Sequence, residues 1–323
     1  MTKESSRKQS PHPKNEPTPA EVSNPYGLLC YDQLPDWRKD NPYIWTQYRP
    51  ISHSFRQCIA SLGYLHNQTG NIYSHLLFLF PALAMSMHCS LVLCGFRESL
   101  TSPRHHDLLA FGSFFAGAMT CMGFSSFYHT FMNHSEGVAK RGKQLDFAGI
   151  TCLIWGSFMP TLYYCFTCEA DLMKMYMTIF STIGAMSLVF LLSPLAQNPS
   201  AQKLVVPLFV TFAASGLFPL WHGIKLYGYD RMNQLTGLEY VLAHGALYLL
   251  ALTPYLTQFP ERFFPGKCDI WFSSHQLFHV GVVMAACVHL AGLLKAYYFQ
   301  QAHYQAAICP LLNTWKGDLL HVV

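Results

Sequence analysis

Residues 274–298 read SHQLFHVGVVMAACVHLAGLLKAYY, and two features of this stretch decide how the rest of the chain is understood. From Val280 to Leu294 it is rich in Val, Ala, Leu, Met and Cys, which makes it a candidate for a helix that crosses a bilayer, a task needing about 20 apolar residues. At the head of the run stand His275 and His279. Four apart on a helix, they share one face about one turn from each other and can reach a single metal ion together. Ionisable groups at the mouth of a span are costly and mark function.

Working outward, the whole chain has the same character. Its 323 residues are 51% hydrophobic and only 12% charged, roughly half the charged fraction of a soluble protein. The charges cluster between long apolar stretches. The fold class is therefore an all-α membrane protein, a seven-transmembrane helix bundle preceded by a short interfacial amphipathic helix. A net charge of +4 is modest, and no basic run is dense enough to make a nucleic-acid groove. Of the eleven cysteines, most sit in apolar runs, where Cys packs as a small hydrophobe. Cys165 and Cys168, at the end of a span, read as packing residues, and no disulfide framework is expected.

Residues 1–45 read as a polar cytoplasmic tail. Its first 21 residues are rich in Ser, Pro and Lys and lack the apolar core of a secretory signal. Leu28 to Trp45 carries aromatics and acids and is expected to lie against the membrane or the bundle. Tyr48-Arg49-Pro50 is a break. Within residues 46–70, Phe55, Cys58, Ile59, Leu62 and Leu65 then recur at helical spacing in a segment too short to span, as in an interfacial helix. Residues 71–298 hold seven spans: Asn71–Phe96, Asp107–Met132 with Asp107 as N-cap, Leu145–Phe166, Leu172–Leu192, Leu204–Tyr227, Gly237–Phe259 and His275–Tyr298. Residues 299–323 form a tail. Lys and Arg concentrate in the N-terminal region and in the loops holding Lys140, Arg141, Lys143, Lys203, Arg262 and Lys267. That places the N-terminus in the cytosol and the C-terminus outside or in a lumen, in the plasma membrane or the endoplasmic reticulum. The sequons at Asn67 and Asn133 then face the cytosol and stay unglycosylated.

Span two ends in Ser125-Ser126-Phe127-Tyr128-His129, span three begins at Leu145-Asp146, and span seven begins at His275. Counting crossings puts these three ends on one face of the membrane, whichever way the protein is inserted. His129, His275 and His279 can thus meet at similar depth. Three imidazoles with an open fourth position are the donor set of a catalytic zinc, which lowers the pKa of bound water to about 7. Asp146 is placed to take or orient that water's proton. Ser125, one turn before His129, can line the site. Taken alone, Asp146 reads as an N-cap of span three and Ser125 as a small residue for close helix contact. Only the coincidence of depth makes a site of them. His75, His88, His222, His244 and His289 read as core hydrogen-bonding groups.

These motifs resemble the progestin and adipoQ receptor family, part of the haemolysin III superfamily that includes the adiponectin receptors. The residues that carry the likeness are Tyr48-Arg49-Pro50, Gly70-Asn71-Ile72-Tyr73-Ser74-His75, Ser125 with His129-Thr130, His134-Ser135-Glu136, Leu145-Asp146 with Gly149-Ile150, Pro260-Glu261-Arg262 with Pro265-Gly266-Lys267, and Ser274-His275-Gln276 with His279. They run from Tyr48 to Leu294, and the N-terminal part looks most like the fungal branch. Gln258 stands where relatives often carry Arg. The resemblance implies a seven-span bundle with a cytosolic N-terminus, zinc on His129, His275 and His279, and Asp146 and Ser125 beside the zinc-bound water. It also implies ceramidase-type amide hydrolysis, ligand sensing or, in fungi, zinc and sterol-lipid homeostasis. Two readings follow. One is a zinc-dependent amidohydrolase acting on a membrane lipid such as ceramide, with a fatty acid or sterol-like lipid as a related ligand. The other is a receptor for an extracellular ligand in which zinc is structural. A metal transporter ranks last, because the polar groups gather at one face instead of running through the bilayer centre.

Overall fold

Hydrocarbon offers no water to backbone N–H and C=O groups, so a spanning segment must satisfy them internally, and the apolar stretches of this chain are helical throughout. The computed structural model describes residues 26–95, 105–304 and 309. Its helices are α1 (Phe55–Ala60), α2 (Thr69–Gly95), α3 (His105–Phe131), α4 (Glu136–Cys165), α5 (Ala170–Leu192), α6 (Pro199–Gln202), α7 (Val205–Ser215), α8 (Leu217–Tyr227), α9 (Tyr229–Thr236), α10 (Leu238–Thr257) and α11 (Ser274–Tyr304). Among the described residues, seven helical stretches are long and apolar enough to cross a membrane, the fifth made of α6 to α8 in succession. Among the described residues, β-type pairing is a single isolated antiparallel bridge, Leu29 to Tyr48. The chain is an integral multi-pass membrane protein, as its composition requires.

Several boundaries differ from those read in the sequence, each for a local reason. Helix α4 begins at Glu136, not Leu145, because Ser135 caps it by accepting from Val138 N and Lys140 pairs with Glu136 one turn on. Asp146 therefore lies ten residues inside the helix and is not its N-cap. Asp107 does not cap α3 either; buried in the first turn, it accepts from Tyr164 Oη at 3.0 Å and from Gln301 Nε2 at 3.2 Å. The interfacial helix shrinks to α1, continued by a 3-10 turn at Ser61–Gly63, with Cys58 buried and Phe55, Ile59 and Leu65 exposed. The tail expected up to residue 25 and nearly all of that beyond residue 304 lie outside the described residues.

Helices α3 and α4 form the centre. Their backbones approach so closely that a Cβ on Gly117 would lie 2.5 Å from Cys152 O, and one on Gly156 would lie 2.5 Å from Ser113 O. Lipid gives helices no hydrophobic reason to associate, so small residues that permit close van der Waals packing stand in for it. An apolar cluster around Phe111, Phe114, Phe115, Met122, Tyr164 and Leu293 joins α3 and α4 to α11, and a second around Leu162, Phe166, Phe180, Phe212 and Leu235 joins α4 to α5 and α7 to α9.

The segment before α1 is ordered and packs on the loop between α10 and α11. Asn41 Nδ2 donates to Glu261 Oε1 at 3.0 Å. Trp45 N, Thr46 N and Thr46 Oγ1 all donate to the Asp269 carboxylate, and Gly266 N donates to Tyr43 O. At the opposite end of the bundle, Cys168 is disulfide-bonded to Cys309, 141 residues away. The packing role assigned to Cys168 is thus corrected. Its partner lies beyond the last span, where no spacing rule points to it.

Candidate metal centre

His129 sits in the last turn of α3, and His275 and His279 in the first two turns of α11. The structure brings all three together: one donor nitrogen from each lies within 4.8 Å of the others. His275 Nε2 is 3.2 Å from His129 Nε2 and 3.2 Å from His279 Nε2. His129 and His279 are buried, and His275 is half-buried with its ring 5.4 Å from that of Tyr255 on α10.

The far side of two rings fixes what the near side offers. His129 Nδ1 lies 2.8 Å from Gln68 Oε1, which also accepts from Asn71 Nδ2. His279 Nδ1 lies 3.0 Å from the Asn71 carbonyl. Both oxygens can only accept, so both Nδ1 atoms carry the proton and both Nε2 atoms present lone pairs. The single proton His275 Nε2 can carry serves one neighbour at a time, so two bare lone pairs face each other at 3.2 Å unless a cation stands between them. Zinc–nitrogen bonds of about 2.0–2.1 Å at tetrahedral angles put donor atoms about 3.3 Å apart. The residues present fit a metal ion. Outward hydrogen bonds to a carbonyl or amide are the usual means of orienting a metal-binding imidazole.

The elements carrying these rings are held by buried charges. Arg49, 1% exposed, caps the end of α3: Nη2 donates to His129 O at 2.6 Å, and Nη1 donates to Thr130 O at 2.9 Å and Ser61 Oγ at 2.7 Å. A cation at a helix C-terminus satisfies orphan carbonyls and complements the dipole. Burial lowers the Arg49 pKa to about 10, which leaves it charged at neutral pH. Glu261, fully buried, does the converse for α11, accepting from Ser274 N and Ser274 Oγ at its first turn. Beneath Arg49, His66 is driven down to about 3, first by burial and then by the Arg49 charge.

Asp146 and Ser125 are both buried, on adjacent faces of α4 and α3. Ser125 faces the Asp146 carboxyl, yet its Oγ makes no hydrogen bond of ordinary geometry among the described residues. The ligand group does not extend to Asp146. His75 has a different place from the one read in the sequence: it stacks on His279, and neither of its ring nitrogens makes a hydrogen bond of ordinary geometry among the described residues. His222 does meet Tyr176 Oη at 2.9 Å, whereas His88 is exposed and the buried His289 makes no hydrogen bond of ordinary geometry among the described residues, so neither is the core hydrogen-bonding group read in the sequence. Asn67 and Asn133 are only 6% and 3% exposed, too buried to accept a glycan.

Gln68, Asn71, Arg49 and Glu261 were not assigned to the site from sequence. Arg49, Asn71 and Glu261 fall inside the family-like stretches while Gln68 lies just before one, and Pro50, which reads as a break, hides Arg49.

The profile of the haemolysin-III-related family matches residues 63–290. The chain is 38% identical over 274 residues to progestin and adipoQ receptor-like protein 1 of Caenorhabditis elegans, covering 82% of this chain and 60% of that one. It is 35% identical over 263 residues to the adiponectin receptor protein of Drosophila melanogaster, covering 81% and 58%. It is 34% identical over 288 residues to the ADIPOR-like receptor IZH2 of Saccharomyces cerevisiae, covering 88% and 90%. The chain thus spans about three fifths of the two animal relatives and nearly all of the yeast one.

Proposed function

The chain belongs to the haemolysin-III-related family, and on that premise we propose that it is a zinc-dependent hydrolase of membrane lipid amides, of which ceramide is the type. The observation that carries this reading is the convergence of three imidazole Nε2 atoms, two of them with fixed lone pairs, in a bundle of seven helices long and apolar enough to cross a membrane. His129, His275 and His279 would hold the ion. A zinc ion so held supplies Lewis acidity and makes water acidic enough to ionise near neutral pH. Three protein donors leave room for a fourth position, which a structural site would fill with protein.

The rest is done by this chain's side chains. Gln68 and the Asn71 carbonyl orient the imidazoles. Asp146, deep in α4, is the group to accept a proton from attacking water, and Ser125 is a hydrogen-bond donor or acceptor for water or the amide oxygen. A centre inside a membrane-spanning bundle favours a lipid over a soluble amide. The orientation we propose is N-terminus in the cytosol. Disulfides persist on the oxidising side of a membrane, so Cys168–Cys309 marks the external or lumenal end, while Cys30, Cys58 and Cys268 at the metal end are free thiols.

The test is purified zinc-loaded protein with ceramide in mixed micelles, scored by release of fatty acid. Wild type is expected to turn over, and His279→Ala and Asp146→Ala to lose turnover by roughly 100-fold or more, the scale of general acid–base assistance. Metal-replete protein that hydrolyses no lipid amide would overturn the reading and point to a receptor with structural zinc.

A further inference from the structure

His75 projects from the first turns of α2 into the neighbourhood of the three histidines; it shares with His289 on α11 a buried imidazole without ordinary hydrogen bonds, but of the two it is His75 that stacks on a ring of the metal centre. It is 3% exposed, and neither Nδ1 nor Nε2 makes a hydrogen bond of ordinary geometry among the described residues, the His279 backbone offering at most a weak contact. Nearly all buried polar side chains have such a partner, and an exception asks for an explanation. Core packing does not supply one, because an aromatic hydrocarbon ring would fill the same space without the cost of leaving two polar atoms dry.

Nor is His75 a fourth metal donor. Its ring lies parallel to that of His279, 9° apart in plane with centroids 3.9 Å apart. A donor nitrogen offers its lone pair in the plane of its own ring, so two parallel stacked imidazoles send their lone pairs alongside each other and do not converge on one ion. The metal-capable group accordingly consists of His129, His275 and His279 without it. What the stack does achieve is orientation. It fixes the plane in which the His75 nitrogens act, immediately beside the centre. Asn71 Oδ1, also buried, has no hydrogen-bond partner among the described residues either. Asn71 belongs to the same helix turn as His75, and its carbonyl already serves His279.

We propose that His75 is a substrate-contacting residue, one of its ring nitrogens hydrogen-bonding the polar head of the lipid amide held beside the three histidines. This rests on the lipid-amide reading and deepens it by naming a residue that selects for the head group. His75 contributes to binding and placement, while the ion stays on the other three rings.

The experiment uses full-length protein in detergent micelles as wild type, His75→Phe and His75→Gln. Phe keeps an aromatic face on His279 and removes both polar atoms; Gln gives up the stack and restores a donor and an acceptor. Three quantities are read: zinc per chain, affinity for ceramide from ligand-dependent thermal shift, and fatty-acid release. Zinc content is expected to be equal in all three. Ceramide affinity is expected to fall roughly tenfold in His75→Phe, the scale of one lost buried hydrogen bond, and to recover to within about threefold in His75→Gln. Equal affinity of wild type and His75→Phe overturns the proposal, as does loss of zinc in His75→Phe or failure of His75→Gln to recover. Wild type that binds ceramide without releasing fatty acid sinks the hydrolase reading and leaves the His75 comparison to be scored on affinity. Absence of ceramide binding in wild type overturns both.

Discussion

At the scale of single residues, the centre is a matter of which proton sits on which nitrogen. Replacing His129, His275 or His279 by Ala removes one of the three donors that converge among the described residues, and bound zinc per chain should fall to near zero by elemental analysis. Gln68 tests the outer contact. Gln68→Ala leaves the three donors but frees His129 Nδ1 from its acceptor, and zinc affinity should drop by roughly 10- to 100-fold in competition with a chelator. His66 gives a pH signature. Its folded-state pKa is depressed to about 3 against about 6.5 unfolded, so the unfolded chain binds the extra proton. Stability is complete above about 6.5 and is lost as pH falls toward about 3. In metal-free protein, the unfolding midpoint of wild type should fall more steeply over that window than that of His66→Asn, with the two differing least above pH 7.

Between elements, the α3–α4 seam decides whether Ser125 and Asp146 face each other. Gly117→Ala would push a methyl against the Cys152 carbonyl, where backbone, not a flexible side chain, has to give. A loss of about 1–3 kcal/mol is expected, as for overpacking elsewhere, read as a lowered unfolding midpoint with zinc content retained. Arg49→Met takes a guanidinium away from two carbonyls of α3 and from Ser61 and should cost about 2–4 kcal/mol, this time with weaker zinc binding because His129 rides on the uncapped turn. This contrast separates what could be read in the sequence from what could not. His275 and His279 were legible because helical spacing alone puts them together, and His129 because the parity of membrane crossings fixes its side. The helical break at Gly216 and the early start of α4 were not, because apolar composition says a segment spans without saying where its hydrogen bonds begin. Arg49, Gln68 and Glu261 act through contacts between segments far apart in the chain, as in the 80 residues from Arg49 to His129, and local pattern is silent about those.

For the whole molecule, the two ends differ in thiol chemistry. Intact cells or sealed vesicles treated with an impermeant maleimide should leave Cys30 unlabelled until the membrane is permeabilised, and Cys168 and Cys309 should label only after reduction. Early labelling of Cys30 would reverse the proposed insertion. The latch of residues 41–46 onto Glu261 and Asp269 joins the earliest described segment to the loop that introduces the last helix, and His129 waits for donors encoded some 150 positions later. A nascent chain leaving the ribosome therefore presents His129 without its two partner donors until the start of α11 has been made. If the three rings hold an ion, loading follows synthesis of α11, and cells starved of the metal should accumulate an inserted apo form.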